Sequence, residues 1–356
     1  MGLLSVFGRA PSGARLERVR RSPHYKGGTF QNTMPTRVMR EGASLPRMIW
    51  EFMNKPADTA PSAPLPSVKV DLRGQTGDEP VVVWFGHSSY FIKLAGLTVL
   101  VDPVFCGYAS PFPFSTKAFA GTDVYGVDDL PEIDIVLITH DHYDHLDYKT
   151  MQRLATKGRH FYTSLGVGSH LEYWGIPAST ITELDWWDEV AVGDGGVLTA
   201  TSARHFSGRD FRRGRTLWSS FVLRVGGYTL FLGGDSGYGP HFKMIGERFG
   251  PMDLAILECG QYGKDWPAIH MQPEECVTAA GELRAKALLP VHWGKFSLSL
   301  HPWDEPVRRV VAAAREKGLA FATPMIGEPV ALGGPLPQTA WWEGVGRYHV
   351  STGWGL

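Results

Sequence analysis

The sequence predicts an α/β protein in which two sheets pack face to face with helices on the outside. Three observations carry that prediction. Strand-like runs broken by helical segments recur in both halves of the chain. Across 356 residues, 43% are hydrophobic and 20% charged, enough apolar side chain for a sizeable core. Finally, His and Asp side chains recur just past the ends of strand-like runs, where sheets of this class open into a crevice.

The elements follow in order. Residues 1–75 read as an N-terminal arm and linker packed on the domain, and 76–356 as the domain itself. In the arm, Arg15 to Arg21 is a basic stretch, and Lys55 to Val68 is a Pro/Ala/Ser linker without periodicity. Between them Pro46 to Asn54 fits one short helix, with Ser44 near its cap and the proline in its first turn. The first dozen residues are expected to fray. From Val81 onward strands dominate, over 81–85, 90–94, 97–101 and 133–139, each run apolar and β-branched or aromatic. Tyr108 to Val127 has no clear period, is rich in Pro, Phe and Gly, and is apolar enough to cover a site. Helices are expected at 148–157 and near 167–174, then strands near 180–183, 188–193, 196–202, 217–225 and 227–232. Helix 240–249, strand 253–257, helix 273–284, strand 287–290 and helix 304–317 complete the body. No internal repeat is visible in the residues.

The chemistry concentrates in His140-Asp-His-Tyr-Asp-His145, directly after the apolar run Ile133-Asp-Ile-Val-Leu-Ile-Thr139. His140 and His142, two apart on an extended segment, point the same way. Asp144 and His145 follow in the turn and can serve a second ion beside the first. Three further strand ends carry ligand-type residues, His205, Asp235 and His292, each with Gly or Ser close by to let the backbone turn. Imidazole and carboxylate suit zinc or a similar borderline ion. Seven ligands exceed one tetrahedral zinc, so two Zn2+ per chain are expected, with iron or manganese able to use the same donors.

The pattern HxHxDH followed by a lone His, Asp and His resembles that of the metallo-β-lactamase-fold hydrolases, over roughly residues 80 to 330. The wording is most similar to the branch of N-acyl-phosphatidylethanolamine-hydrolysing phospholipase D and its bacterial relatives. The motifs concerned are Trp84-Phe-Gly-His-Ser-Ser-Tyr90, Val101-Asp-Pro-Val-Phe105, Gly234-Asp-Ser-Gly-Tyr-Gly-Pro-His-Phe242, His270-Met-Gln-Pro-Glu-Glu275, His292-Trp-Gly294 and Ser22-Pro-His-Tyr-Lys-Gly-Gly-Thr-Phe-Gln-Asn32. One departure is Glu258-Cys-Gly-Gln-Tyr262, more polar than the branch implies. The resemblance implies a four-layer αβ/βα sandwich with metals at one edge between the sheets. It implies His140, His142 and His205 on the first metal, Asp144, His145 and His292 on the second, and Asp235 bridging. A metal-bridging hydroxide would then be the nucleophile, with Asp144 holding it in line. His270 is a candidate catalytic donor to substrate phosphate or leaving group. His87 and Asp141 read as supports of the ligands, and Tyr238 and His241 as pocket lining.

The remaining features narrow the function. With 35 basic against 36 acidic residues the chain offers no polyanion-binding surface, so no nucleic-acid partner is expected. Three scattered cysteines do not make a disulfide framework, which fits a reducing cytoplasm. No apolar run is long enough to span a membrane, and Met1 to Val6 is too short for a signal peptide. Contact of the basic stretch with the inner membrane face stays open, as does oligomeric state. The leading expectation is a di-zinc phosphodiesterase for a small-molecule or phospholipid substrate. The alternatives are a lactonase or other ester hydrolase of the same fold, and a binding protein without catalysis.

Overall fold

Period-two alternation builds the layers. In the strand Ile133–Ile138, Ile135 and Leu137 face the interior between two sheets, while Val136 and Ile138 face a separate apolar layer. The computed structural model describes residues 3–74 and 79–346. The predicted domain boundary at 75/76 lies outside the described residues.

The chain opens with a 3-10 turn at Leu3–Phe7, then α1 (Gly13–Arg21), β1 (Tyr25–Lys26), β2 (Thr29–Phe30) and α2 (Leu45–Met53). One half of the body follows as β3 (Val81–Trp84), β4 (Tyr90–Leu94), β5 (Leu97–Val101), β6 (Ile133–Ile138), α3 (Tyr148–Leu154), β7 (Gly158–Ser164), α4 (Gly168–Tyr173) and β8 (Ile181–Leu184). The other half is β9 (Glu189–Val192), β10 (Gly196–Thr201), β11 (Ser220–Val225), β12 (Tyr228–Leu232), α5 (His241–Phe249), β13 (Leu254–Glu258), α6 (Pro273–Glu282), β14 (Ala287–Val291), α7 (Glu305–Glu316) and β15 (Ala320–Phe321). The last strand, β16 (Pro329–Ala331), returns to the first half.

Two seven-stranded sheets result, ordered β16-β3-β4-β5-β6-β7-β8 and β15-β14-β13-β12-β11-β10-β9. Each has an antiparallel half and a parallel half. In the first, β16 to β5 pair antiparallel and β5 to β8 parallel. In the second, β9 to β12 pair antiparallel and β12 to β15 parallel. The fold therefore repeats a pattern that the residues themselves do not display. Ile92, Val99 and Val101 from the first sheet meet Leu198, Phe221 and Leu230 from the second in one core. Helices α3 and α4 cover the outer face of the first sheet through Met151, Leu154 and Leu171, while Ile245, Val277 and Val310 of α5, α6 and α7 are buried with the second. This is the αβ/βα sandwich.

Several elements depart from expectation for local reasons. Strand β7 occupies a stretch where no strand was expected between the two helices, because burial along it begins only at Phe161. Strands β15 and β16 are two and three residues long, too short for any period to register. The first dozen residues are not wholly frayed: Trp174 donates to the Ser5 carbonyl and Arg209 to that of Val6. The basic stretch is helix α1, with Arg15 paired to Glu172 and Glu183 and Arg18 bonded to the Glu183 carbonyl. Those two cations are spent inside the protein. Helix α2 is capped as expected, Ser44 accepting from the Arg47 amide at 3.5 Å. It buries none of its residues and exposes Leu45, Ile49, Trp50 and Met53. Among the described residues no helix is long and apolar enough to cross a membrane.

Candidate metal centre

The predicted ligands converge although they come from four separated segments. His140, His142, Asp144 and His145 follow β6, while His205, Asp235 and His292 follow β10, β12 and β14. His142 Nδ1 lies 2.9 Å from His140 Nε2 and 3.2 Å from His205 Nε2. Asp235 Oδ2 stands 3.8 and 3.7 Å from those same two ring nitrogens. On its other side the Asp235 carboxylate is 3.2 Å from His145 Nε2 and, through Oδ1, 3.2 Å from His292 Nδ1. Asp144 Oδ2 is 3.4 Å from His145 Nε2 and 4.0 Å from His292 Nε2. Close-set donor groups include His140/His142/His205 with Asp235, and Asp144/His145/His292 with His87, while Asp235 also stands close to His292 beside Glu258 and His270.

Hydrogen bonds behind the rings set which nitrogen is free. His145 Nδ1 is 2.7 Å from Asp102 Oδ2 and His205 Nδ1 is 2.8 Å from the Ile269 carbonyl. Both partners accept, so both Nδ1 atoms carry a proton, and in the neutral ring the lone pair falls on Nε2. Thr139 Oγ1 donates to Asp102 at 2.6 Å, so at 3.0 Å it can only accept from His140 Nδ1, which frees that Nε2 as well. Burial holds His140, His205 and His292 well below the usual histidine range, keeping them in the neutral, ligating form. Burial also pulls on His145, but the Asp235, Asp144 and Asp102 carboxylates outweigh it and push that ring up.

This geometry tests whether the residues fit metal ions. His145 Nε2 and Asp235 Oδ1 are buried without a hydrogen-bond partner in the centre of the cluster. Unpaired buried polar atoms are expensive in a folded core unless something else satisfies them. Imidazole lone pairs aimed at one point cannot satisfy one another; cations can. The cluster fits a binuclear metal site. The backbone is distorted to build it, with positive φ at His87 (52°), Asp102 (41°) and His292 (68°).

The comparisons with known proteins agree. A family profile for the Beta-lactamase superfamily domain matches residues 98–293, more than half of the chain. The chain belongs to the metallo-β-lactamase superfamily. An uncharacterised protein of Mycobacterium tuberculosis is 38% identical over 327 residues, spanning 90% of this chain and 88% of its own length. N-acyl-phosphatidylethanolamine-hydrolyzing phospholipase D 1 of Caenorhabditis elegans is 30% identical over 267 residues, 69% of this chain and 74% of its own. Among solved structures, isothiocyanate hydrolase from Delia radicum gut bacteria has a TM-score of 0.57 at 20% identity, covering 70% of this chain and 98% of that one. A metallo hydrolase of Ignicoccus hospitalis gives 0.55 at 21%, covering 70% and 97%. These structural likenesses show the fold. As a superfamily member the chain is a metal-dependent hydrolase.

The cluster is served by further residues, some of them expected. His87 Nε2 lies 2.9 Å from Asp144 Oδ2 and Ser88 Oγ 2.8 Å from His292 Nδ1, so the β3–β4 turn supports the second donor group. Asp141 supports the loop rather than a ligand ring. It accepts from the Gly208 amide, Thr216 Oγ1 and His170, while the buried Arg209 guanidinium donates to its carbonyl and to that of Leu146. His270 stands at the cluster's open side, its ring 5.0 Å from His205 and 5.2 Å from His292. Its Nδ1 is 2.7 Å from Glu258 Oε2. Burial pulls His270 down, yet the Glu258 carboxylate outweighs it and holds the ring up at about 9. Burial pushes Glu258 itself up to about 7. Asp102 and Glu258 were absent from the expected site, although both obey the rule that marks the ligands: each ends or directly follows a strand.

The pocket assignments need two corrections. Tyr238 turns to Glu282 and His241 to Ser236, so neither faces the cavity over the cluster. Among the described residues the 108–127 loop contributes no wall to that cavity either. Its base packs on Phe296 and Leu298, and its tip exposes Phe112 and Phe114. The cavity measures about 290 Å³ and is walled there instead by Val38, Met39 and α2.

Proposed function

We propose that this chain is a phosphodiesterase acting on a phospholipid-like substrate with two cations, zinc in the native protein. His140, His142 and His205 would hold the first, Asp144, His145 and His292 the second, with Asp235 between them. When bound, such a pair acidifies a shared water and neutralises charge on a substrate oxygen. The chain's own residues supply the rest. Asp144, held by His87, lines the cavity and offers a carboxylate acceptor for the proton of the attacking water. The observation that carries the diester reading is His270. As an imidazolium its Nδ1–H goes to Glu258 and its Nε2–H remains for the cavity that the ring lines, where it can pass to a departing alkoxide and leave the ring neutral. A neutral carbonyl substrate needs that donor less.

An apolar tail on the substrate is supported by the cavity walls Leu45, Met48, Phe52 and Leu298. The exposed apolar side chains of α2 beside it support peripheral contact with a lipid surface. The free Cys106, Cys259 and Cys276 support a reducing cytoplasmic setting. The test is His270→Ala in zinc-loaded protein with metal content checked. The kcat/KM for a diester with an unactivated alcohol leaving group should fall by ~10²–10⁴. The loss should shrink for a p-nitrophenyl diester and nearly vanish for a lactone. Equal losses on all three would make His270 a structural residue and remove the main support for the diester reading.

A further inference from the structure

The space over the metal residues has two lobes, one mainly apolar and one richer in polar side chains. One is walled by Leu45, Met48, Phe52, Trp266, Ile269 and Leu298. The other runs along the N-terminal segment past the uncharged polar Gln31, Asn32, Thr33 and Thr36, with Phe30, Met34 and Trp218 among them. Val38, His205, Phe206 and Arg213 line both. An amphiphile lying across the cluster would therefore place its apolar part in one lobe and its polar part in the other.

Arg213 stands at the junction. Its guanidinium carbon is 4.9 Å from the centre of the Phe206 ring. That ring in turn lies 4.4 Å from His142 and 4.9 Å from His205. Neighbouring Arg215 is paired with Asp210, whereas no carboxylate pairs with Arg213 among the described residues. Among the described residues no acidic side chain lines the polar lobe. Stacking holds a guanidinium by its flat face and leaves the N–H edge available for an anion. One aromatic ring separates that edge from the metal-facing imidazoles, so the scissile group cannot occupy both places at once. The anion that Arg213 meets is a second one, further along the polar side.

We propose that Arg213 determines specificity by pairing with a second anionic group on the headgroup side of an amphiphilic diester. The inference rests on the diesterase reading of this same site. It narrows the substrate class to diesters whose polar moiety bears its own negative charge.

The test compares two short-chain lipids below their micelle concentrations, one with a glycerol headgroup and one with glycerol phosphate. Zinc-loaded full-length protein, Arg213→Ala and Arg213→Lys are assayed on both. The pairing is solvent-exposed, so wild type should show a KM about fivefold lower for the phosphate-bearing lipid. Arg213→Ala should lose that preference through KM rather than kcat, and Arg213→Lys should recover part of it. A preference that survives Arg213→Ala, or is absent from wild type, overturns the proposal. Calorimetric binding of glycerol 1,3-bisphosphate against glycerol 1-phosphate separates the two readings. Discrimination that depends on Arg213 without turnover of either lipid keeps Arg213 as the anion reader and sinks the diesterase. Turnover without discrimination sinks the role of Arg213 alone.

Discussion

Replacing Asp102 by Asn should disable His145 as a ligand without touching any ligand. The Asp102 carboxylate receives three donors: the Thr139 amide at 2.8 Å on Oδ1, and Thr139 Oγ1 at 2.6 Å and His145 Nδ1 at 2.7 Å on Oδ2. An amide N–H can only donate, so the Asn carbonyl must occupy the Oδ1 position. Its NH2 then faces His145 Nδ1, and the ring can keep a hydrogen bond only by accepting. That moves the ring proton to Nε2, the atom 3.2 Å from Asp235 and 3.4 Å from Asp144. A protonated nitrogen cannot bind a cation. Losing a partner behind a ligating His typically lowers metal affinity ~10- to 100-fold, or about 1.4–2.8 kcal/mol. Chelator competition that resolves the two equivalents is the assay, with the unfolding midpoint of the metal-free protein as a control. The weaker equivalent should be the one held by Asp144, His145 and His292. Wild-type affinity at both equivalents, in a variant that folds normally, would refute the tautomer argument.

The other expectations are more direct. Protein purified without chelator should hold close to two metal equivalents per chain, and stripping them should abolish hydrolysis until zinc is returned; a stable one-metal form with full activity would overturn the binuclear reading. Asp235→Ala should lower turnover more than His270→Ala, because Asp235 faces both donor groups while His270 is engaged by Glu258 and is proposed to supply a single proton; near-native turnover with both metals bound would remove it from between them. Gly237→Ala should lower the unfolding free energy by about 1–3 kcal/mol or more, read as a lower denaturant midpoint, since a Cβ there would come within 1.9 Å of the Ala268 carbonyl oxygen; an unchanged midpoint would mean the 235–239 turn adjusts freely.

The body of the fold was legible because burial of strands on both faces leaves long apolar runs, as in Leu254–Glu258 and Ala287–Val291, whose residues are all buried. What failed had weak local signals. The nine residues of α1 carry five charges, and only Val19 is buried, so the segment reads as a solvated run. Its helix is held by distant partners, Glu172 and Glu183, invisible at a separation of more than 150 residues. The matching halves of the two sheets are likewise a property of pairing order, and pairing order leaves no trace in residue identity.

The site was legible for a different reason, and the same reason explains its gaps. A histidine-rich strand end is rare enough to announce itself, whereas an aspartate or glutamate at a strand end is ordinary until its neighbours are known. Glu258 is the clearest case. It is the last residue of β13, between β12 and β14, and its register partner is Val291, the residue before His292. On the other side Ile256 pairs with Leu232, three residues before Asp235. Three adjacent parallel strands thus deliver Asp235, Glu258 and His292 to one edge, where their ligand-type atoms lie within 4.8 Å of one another and of His270. Once the strands are placed as neighbours, a carboxylate at the end of the middle one must face the cluster. It must then either join the metals or bind something beside them. The 2.7 Å bond to His270 takes the second course and turns an otherwise costly buried carboxylate into the support of the proposed proton donor.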